Sequence, residues 1–226
     1  MTRHTGLLPR VRTSLWRWAA WAERYWTDLP GRSGRGCFGT GYDQWGVQTN
    51  QKYLGALAVL ATDEAADDGC GDRQWALDRA MAALRFSLDS HHTGRGRCTD
   101  GVSWGRTWIS PLGVERMMHG VDRLQPHLAD ADRDALRAML VDEAEHQLRQ
   151  EIVAGLWGEQ GRNKPESNIW NGAVCVRAAT LCADHPHAGD WMEQAHRYFV
   201  NGISVPADAD DATVLAGQAV RDRHVG

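Results

Sequence analysis

Apolar residues recur at helical spacing along most of the chain, and this pattern predicts seven helices. Predicted helices 1, 3, 5 and 7 carry one apolar stripe and a charged face, helices 2 and 6 are apolar on nearly every side, and helix 4 is intermediate. The predicted spans are about 13–28, 48–66, 72–90, 110–125, 131–154, 167–185 and 187–201. The segment 212–220, ATVLAGQAV, is the one short strand that the pattern favours. The predicted fold class is therefore all-α.

This alternation is typical of antiparallel helical hairpins stacked side by side, in which outer and inner helices follow one another. We expect residues 1–226 to form a single domain that is part of an (α/α)6-type toroid. Because a closed ring of this kind needs about twelve helices, the chain is expected to be incomplete at its C-terminus. A half-ring leaves apolar helix faces uncovered, which would favour self-association.

Three polar segments that each contain a Trp-Gly pair precede the helices predicted to be inner ones. The first polar segment is 42–51, the second is 103–113 and the third is 157–172, and their Trp-Gly pairs are 59 and 53 residues apart. Inner helices that run in the same direction place their first turns at the same end of a ring. We therefore expect the three segments to form one rim around one cavity. Indole faces pack against sugar rings, and amide and charged groups bind the sugar hydroxyls, so this rim favours a carbohydrate.

Composition and charge exclude several other partners. The net charge is −4, and the 25 basic residues are spread among 29 acidic ones. The sequence therefore has no basic stripe of the kind that would predict nucleic-acid binding. The segment LWRWAAWAERYW is interrupted by charged residues and does not predict a signal peptide or a membrane span. We expect a cytoplasmic protein without a membrane partner, or a secreted or periplasmic one if the true N-terminus is missing. The five cysteines lack a CxxC, and Cys175 and Cys182 are expected to be buried free thiols.

The third polar segment carries the strongest candidates for chemistry. Asn168 and Asn171 are three residues apart in the first turn of a predicted inner helix and so share a face, while Trp170 projects away from both. Glu166 lies just before them, near the positive end of the helix dipole. The alternative interpretation is that Asn168 caps the helix and Glu166 offsets the dipole.

The segments ESNIWNGAVCVRAATLCADHPHA and GVQTNQKYLGALAVLA resemble the inner helices of α/α-toroid polysaccharide lyases, including heparinase-like and alginate-lyase-like proteins. The resemblance covers roughly residues 40–226 and lies in the architecture and in an inner helix that bears Asn. It implies β-elimination on a uronate-containing poly- or oligosaccharide. Asn168 or Asn171 would then neutralise the uronate carboxylate while a Tyr or His removes the neighbouring C5 proton.

This chain departs from the family at the base, because no His follows either Asn and the third polar segment contains no Tyr. The base is expected elsewhere, and the alternatives are His91, His92, His119, Tyr42, His224 or a residue in the missing half of the ring. The other two polar segments are expected to supply substrate-binding groups. These are Tyr42, Asp43, Trp45, Gln48, Asn50, Trp104, Arg106, Trp108 and, from the third segment, Trp170. Arg106 is expected either to grip a sugar carboxylate with two bonds or to stack on the neighbouring Trp rings.

Two other function classes stay open. A glycoside hydrolase on the same toroid would need paired carboxylates, for which the candidates are Asp43, Asp100, Glu115 and Glu166. A non-catalytic helical-repeat protein would use its Trp residues to bind another protein. We expect no cofactor and no metal, since the His and Cys residues show no recognised ligand spacing and GRSGRGCFGTG lacks the Lys of a phosphate loop.

Overall fold

The computed structural model describes residues 7–29, 31–63, 71–150, 152 and 165–203. Within these ranges the chain is helical apart from one two-stranded sheet, which confirms the predicted all-α class. The helices are α1 (Leu7–Ala22), α2 (Trp45–Thr62), α3 (Arg73–Ser90), α4 (Ser110–Leu124), α5 (Asp130–Leu148), α6 (Pro165–Leu181) and α7 (Ala188–Ile203). The predicted strand 212–220, the pair Trp157-Gly158 and His224 lie outside the described residues. The toroid arrangement stays a prediction.

The chain divides into two compact units. Unit 1 comprises Met1–Trp104 and Arg116–Ala135, and unit 2 comprises Gly105–Glu115 and Leu136–Gly226. The boundaries after Glu115 and after Ala135 fall inside helices, namely α4 and α5. The prediction of a single domain stays a prediction, and the two units are described separately below.

Helix α1 begins at Leu7, about two turns before the predicted start at Thr13. Pro9 is compatible with this start because proline is tolerated in the first turn of a helix, where its missing N–H would have no partner. The Thr13 hydroxyl donates to the Pro9 carbonyl over 3.0 Å, so Thr13 lies within the helix and does not cap it. The helix packs through Trp16, Ala19 and Ala22, which are buried.

The prediction that helix 1 continues to residue 28 is wrong, because the chain leaves the helix at Ala22 and forms a β-hairpin. Strand β1 (Trp26–Asp28) pairs antiparallel with β2 (Gly36–Phe38), and Trp26 lies opposite Phe38. Gly36 lets the Trp26 ring lie against the hairpin, since a Cβ at Gly36 would come within 2.1 Å of that ring. The Arg79 guanidinium lies 4.4 Å from the centre of the Trp26 ring and covers it.

Unit 1 is built around the pairing of α2 and α3. Each of these helices buries nine residues, so α3 is as buried as α2 and the predicted alternation of outer and inner helices fails at α3. The sequence of α3 hides this because its charged residues are engaged within the fold. Arg85 binds the buried carboxylate of Asp132 through both Nε and Nη2, at 3.1 and 3.0 Å.

Unit 2 contains the close pair α6 and α7. Gly172 permits their approach, because a Cβ there would come within 2.7 Å of the Phe199 ring. Trp191 and Tyr198 of α7 are completely buried. Cys175 and Cys182 are buried free thiols, as predicted.

Candidate functional site

The first polar segment, residues 42–51, contains the start of α2 and exposes two aromatic rings. Tyr42 and Trp45 are each 54% exposed. Gln44, which lies between them, has φ 57° and ψ −108°, a backbone conformation that residues other than glycine rarely adopt. Such strain persists where the surrounding structure enforces it, and it concentrates at functional sites. The segment thus presents two flat apolar faces from a constrained turn.

Asp43 and Asp100, two of the carboxylates considered for a hydrolase, come together in unit 1. The Asp43 backbone N–H donates to Oδ2 of Asp100 over 2.9 Å, and the Thr99 N–H donates to the Gly41 carbonyl over 3.0 Å. Gly41 has φ +63°, and a Cβ there would lie 2.6 Å from Cys37 Sγ, so this position favours glycine strongly. These contacts join the turn before α2 to the loop that follows α3. The other two candidates, Glu115 and Glu166, belong to unit 2.

Asn50 is completely buried, and its side chain connects three parts of unit 1. Its Oδ1 accepts from the Phe38 backbone N–H over 2.9 Å, and its Nδ2 donates to the Ala83 carbonyl at 3.0 Å and to Ser87 Oγ at 3.1 Å. This amide therefore holds β2 and α3 against α2. Its predicted role in binding substrate stays a prediction, but its polar atoms are engaged in the fold.

Gln48 and Gln51, on neighbouring turns of α2, contrast with Asn50. Both side chains are buried. Within the part of the chain that the structure describes, three of their polar atoms have no hydrogen-bond partner, namely Oε1 and Nε2 of Gln48 and Nε2 of Gln51. A buried polar group without a partner costs about 1–3 kcal/mol, so such groups require an explanation. A bound ligand that supplies the missing partners is one explanation.

Trp104 is buried and connects the second polar segment to α3. Its indole Nε1 donates to the Ser87 carbonyl over 2.7 Å, and its ring lies edge-on to His91 with the centroids 4.7 Å apart. The imidazole of His91 is held in turn by Thr93, whose hydroxyl lies 2.9 Å from Nδ1. Trp104 thus has a packing role in unit 1, and its predicted contact with substrate is untested.

The candidates for the base differ in accessibility. Tyr42, His92 and His119 are exposed, whereas His91 is completely buried. His91 is also engaged, because its Nδ1 lies 2.9 Å from the Thr93 hydroxyl and accepts from the Thr93 backbone N–H over 3.2 Å. The geometry therefore favours Tyr42, His92 and His119 over His91.

Arg106 is held within unit 2 by two acidic side chains of α5. Its backbone N–H donates to the buried carboxylate of Glu143 over 2.6 Å, and its guanidinium binds Asp142 with two bonds, of which Nε to Oδ2 measures 2.9 Å. The backbone of Arg106 has φ 53°, a conformation unusual for a residue with a side chain. Neither expected role of this guanidinium included Asp142 as its partner. Trp108, two residues further on, is 52% exposed.

Sequence reasoning missed the polar residues of α5 that surround Arg106. His146 lies one turn after Asp142 and Glu143, and its pKa is lowered, chiefly by burial. His146 is therefore neutral at pH 7 and can accept a proton. In the sequence, Asp142 and His146 have the i, i+4 spacing of residues that share a helix face. This pair was overlooked because the surrounding segment, VDEAEHQL, has the composition of a charged helix surface.

Asn168 is completely buried in the first turn of α6, and neither its Oδ1 nor its Nδ2 has a hydrogen-bond partner among the described residues. Helix N-caps satisfy their side-chain oxygen by accepting a backbone N–H, so the capping alternative for Asn168 lacks its defining bond. Glu166, two residues before it, is exposed in the same turn. Trp170 is half-buried.

Asn171 differs from Asn168 in being engaged. It is buried and shares a side-chain hydrogen bond with Tyr198 of α7. The Tyr198 hydroxyl also donates to the backbone carbonyl and to Oε1 of Gln147, over 3.2 and 3.1 Å. Burial raises the pKa of Tyr198 far above its ordinary value, so this hydroxyl stays protonated and is a poor base.

The cysteines offer little nucleophilic chemistry. Cys37, Cys98 and Cys175 are buried, and burial raises the pKa of Cys37 to about 11 and of the other two to about 12. At neutral pH these thiols are not ionised and are weak nucleophiles.

Comparison with known proteins gives no match: no family model, no curated protein and no solved structure matches this chain. In the described ranges no helix combines the length and the apolar character needed to cross a membrane.

Proposed function

We propose that the protein is a carbohydrate-active enzyme that cleaves an acidic, uronate-containing poly- or oligosaccharide by β-elimination, with Asn168 as the donor to the uronate carboxylate. The observation that carries this proposal is the Asn168 amide in the first turn of α6, which is completely buried and has no hydrogen-bond partner among the described residues. The resemblance of this helix to the inner helices of toroid lyases supports the same assignment.

The chemistry of β-elimination explains why a buried amide would be kept at a cost in stability. Removal of the C5 proton sends an electron pair into the carboxylate, and the pair then forms the C4–C5 double bond as the glycosidic C4–O bond breaks. Donors that face the carboxylate stabilise the charge while it develops, and they act most strongly where water is excluded. Asn168 Nδ2 has two N–H groups to offer, and the unpaired state costs about 1–3 kcal/mol that a bound carboxylate would recover.

Asn171 has a different role in this proposal. Because it bonds to Tyr198, which itself is bonded to Gln147, it ties α6 to α7 and to the end of α5. This connection holds the first turn of α6, and with it Asn168, in a fixed position. Asn171 is therefore a positioning residue, and the carboxylate donor is Asn168.

A candidate for the base must be able to accept a proton at neutral pH. Tyr198 fails because burial raises its pKa. His146 meets the requirement in unit 2 because burial lowers its pKa.

The exposed aromatic rings of the two units fit a sugar-binding role. Tyr42 and Trp45 in unit 1 and Trp108 in unit 2 are each about half exposed. Aromatic rings left in water beside polar groups are typical of surfaces on which sugar rings stack.

The test is incubation of the chain with a panel of uronate polymers while ultraviolet absorbance and reducing ends are recorded together. A lyase produces new reducing ends and, in equal number, absorbing unsaturated sugars, each of which is the new non-reducing end of the fragment on the other side of the cut. Absence of the absorbing product with every polymer, while the protein is folded, would contradict β-elimination by this chain.

A second candidate is a glycoside hydrolase, and it is favoured by the backbone N–H of Asp43 donating to the Asp100 carboxylate, which places these two acidic residues side by side in unit 1. Paired carboxylates are what such enzymes use as acid and as base or nucleophile. In that case the same assay yields reducing ends without absorbance, and Asp43→Asn and Asp100→Asn each abolish them. If neither product forms and the chain instead binds a protein partner, the non-catalytic alternative gains support.

A further inference from the structure

Three potential metal ligands meet in unit 2, in a cluster formed by Glu145, His185 and His187. Glu145 lies near the end of α5, and the two histidines flank Pro186 in the turn between α6 and α7. One ligand atom of each residue lies within 4.8 Å of the others. In the sequence these histidines carry no metal signal, because a His-x-His pair alone lacks a recognised spacing. The third ligand, Glu145, is 40 residues away from His185 along the chain.

The cluster is held by its neighbours. Oε1 of Glu145 lies 2.6 Å from Nδ1 of His187, and it also accepts from the Trp191 indole N–H over 3.1 Å. The His185 ring is stacked on the Trp191 ring, with centroids 4.4 Å apart and planes 17° from parallel. The His187 backbone N–H donates to Nδ1 of His185 over 3.2 Å, so Nδ1 is the unprotonated nitrogen of this ring, and an ion bound there would replace that N–H as its partner.

From this geometry we propose that Glu145, His185 and His187 bind a divalent transition-metal ion of the Zn²⁺ type. Two imidazole nitrogens and one carboxylate oxygen are a ligand set typical of zinc, and ligands around a tetrahedral ion stand about 3–4 Å apart. The three ligand atoms lie near that spacing, since each is within 4.8 Å of the others. The indole of Trp191 then serves the bound carboxylate as an outer hydrogen-bond donor, which orients it.

The proposed metal site is distinct from the candidate site at Asn168. His185 follows the last turn of α6, whereas Asn168 lies in its first turn, and the 13 residues from Asn168 to Leu181 span about 20 Å of helix at about 1.5 Å each. The ion would therefore connect α5 to the turn before α7 and take no part in the elimination. It leaves a coordination position for water, since only three ligands come from the protein.

Arg149 is the competing cation at this site. Its Nη1 lies 3.3 Å from Oε2 of Glu145, the oxygen that does not contact His187. Arg149 is largely exposed, and an exposed ion pair of this kind contributes little, about 0–1 kcal/mol. This ion pair therefore opposes a metal bound through Oε1 only weakly, and the stronger contact that the ion must replace is the 2.6 Å one between Oε1 and Nδ1 of His187.

The test is Zn²⁺ binding by the whole chain after chelator treatment, measured by equilibrium dialysis with metal analysis and by the thermal unfolding midpoint. We expect one tightly bound Zn²⁺ per chain and a higher midpoint with Zn²⁺, and no such rise with Mg²⁺, which prefers oxygen ligands.

Variants locate the ion. His187→Ala, Glu145→Gln and His185→Phe, which keeps a ring on Trp191, should each weaken Zn²⁺ binding by more than about tenfold. His196→Ala is the matched control, because His196 is an exposed histidine of α7 outside the cluster, and it should bind Zn²⁺ as the parent does. Failure of the parent to bind Zn²⁺, or equal binding by the cluster variants, would overturn the proposal. The β-elimination assay is unaffected by either result.

Discussion

Gly120 of α4 lies against Gly55 of α2 so closely that a Cβ on Gly120 would come within 2.8 Å of the Gly55 Cα. The same Cβ would lie 3.2 Å from Cβ of Ala58. The contact is between backbones, so neither helix can relieve a clash by rotating a side chain. Unit 1 therefore depends on a glycine at this crossing of the two helices.

We expect Gly120→Ala to lower the free energy of unfolding by about 1–3 kcal/mol, as overpacking of a tight core does. Gly189→Ala is the control, because Gly189 is also helical and a Cβ added there would meet nothing within 4 Å. That variant should gain up to about 1 kcal/mol from helix propensity. Urea unfolding of the two variants measures the difference, and equal stabilities would show that the crossing is not tight.

Asn50 and Gln48 predict opposite effects of removing a buried amide. Asn50→Leu leaves the Phe38 N–H without its Asn50 partner, whereas the Ala83 carbonyl keeps the Ser87 hydroxyl, and the change should cost about 1–3 kcal/mol. Gln48→Met has nearly the same shape, breaks no hydrogen bond within the described residues and should raise the free energy of unfolding by about 1 kcal/mol. Chemical denaturation of both variants checks the signs. A loss of stability in Gln48→Met would mean that this amide has a structural partner.

His146 predicts a loss of stability in mild acid. Burial is the main cause of its lowered pKa, while the acidic Asp142 and Glu143 oppose that shift and two arginines add to it. Because the folded pKa lies below the unfolded value of about 6.5, the unfolded chain binds more protons in this range. The contribution of His146 to stability is therefore fully present above a pH of about 6.5 and is lost as the pH falls through the folded pKa.

Replacement of His146 by Gln should reduce this pH dependence. Comparison of the free energy of unfolding at pH 7.5 and pH 5.5, in the presence of a chelator, gives the difference for each protein. The decrease should be smaller in His146→Gln than in the parent. An unchanged decrease would assign the effect to other groups.

Local sequence signals were enough to predict most helices. Helix α4 starts at Ser110 with Pro111 in its first turn and ends before Pro126, as expected from proline geometry. The hairpin after α1 was missed because its determinant, the fit of the Trp26 ring over Gly36, joins residues ten positions apart. Helical spacing in one segment carries no information about such a contact.

The candidate residues show the same limit. The sequence does not distinguish the amides of Asn50, Gln48 and Asn168. Among the described residues, tertiary contacts give the Asn50 amide its hydrogen-bond partners and leave the other two amides without any. Arg106 was expected to face a ligand or a ring, but Asp142 of α5, 36 residues further on, binds it. Pairing between distant segments thus separates residues with a role in the fold from those available to a substrate.

The most direct test of the proposed function is the activity and stability of Asn168→Leu, which has a side chain of nearly the same size and no polar atoms. If Asn168 is kept for the uronate carboxylate, the variant should lose formation of the unsaturated product by at least about 100-fold, in line with the loss of one charge-stabilising donor. Its free energy of unfolding should stay equal or rise by about 1 kcal/mol, since a buried unpaired amide has been removed. Unchanged product formation in a folded Asn168→Leu protein would contradict the assignment.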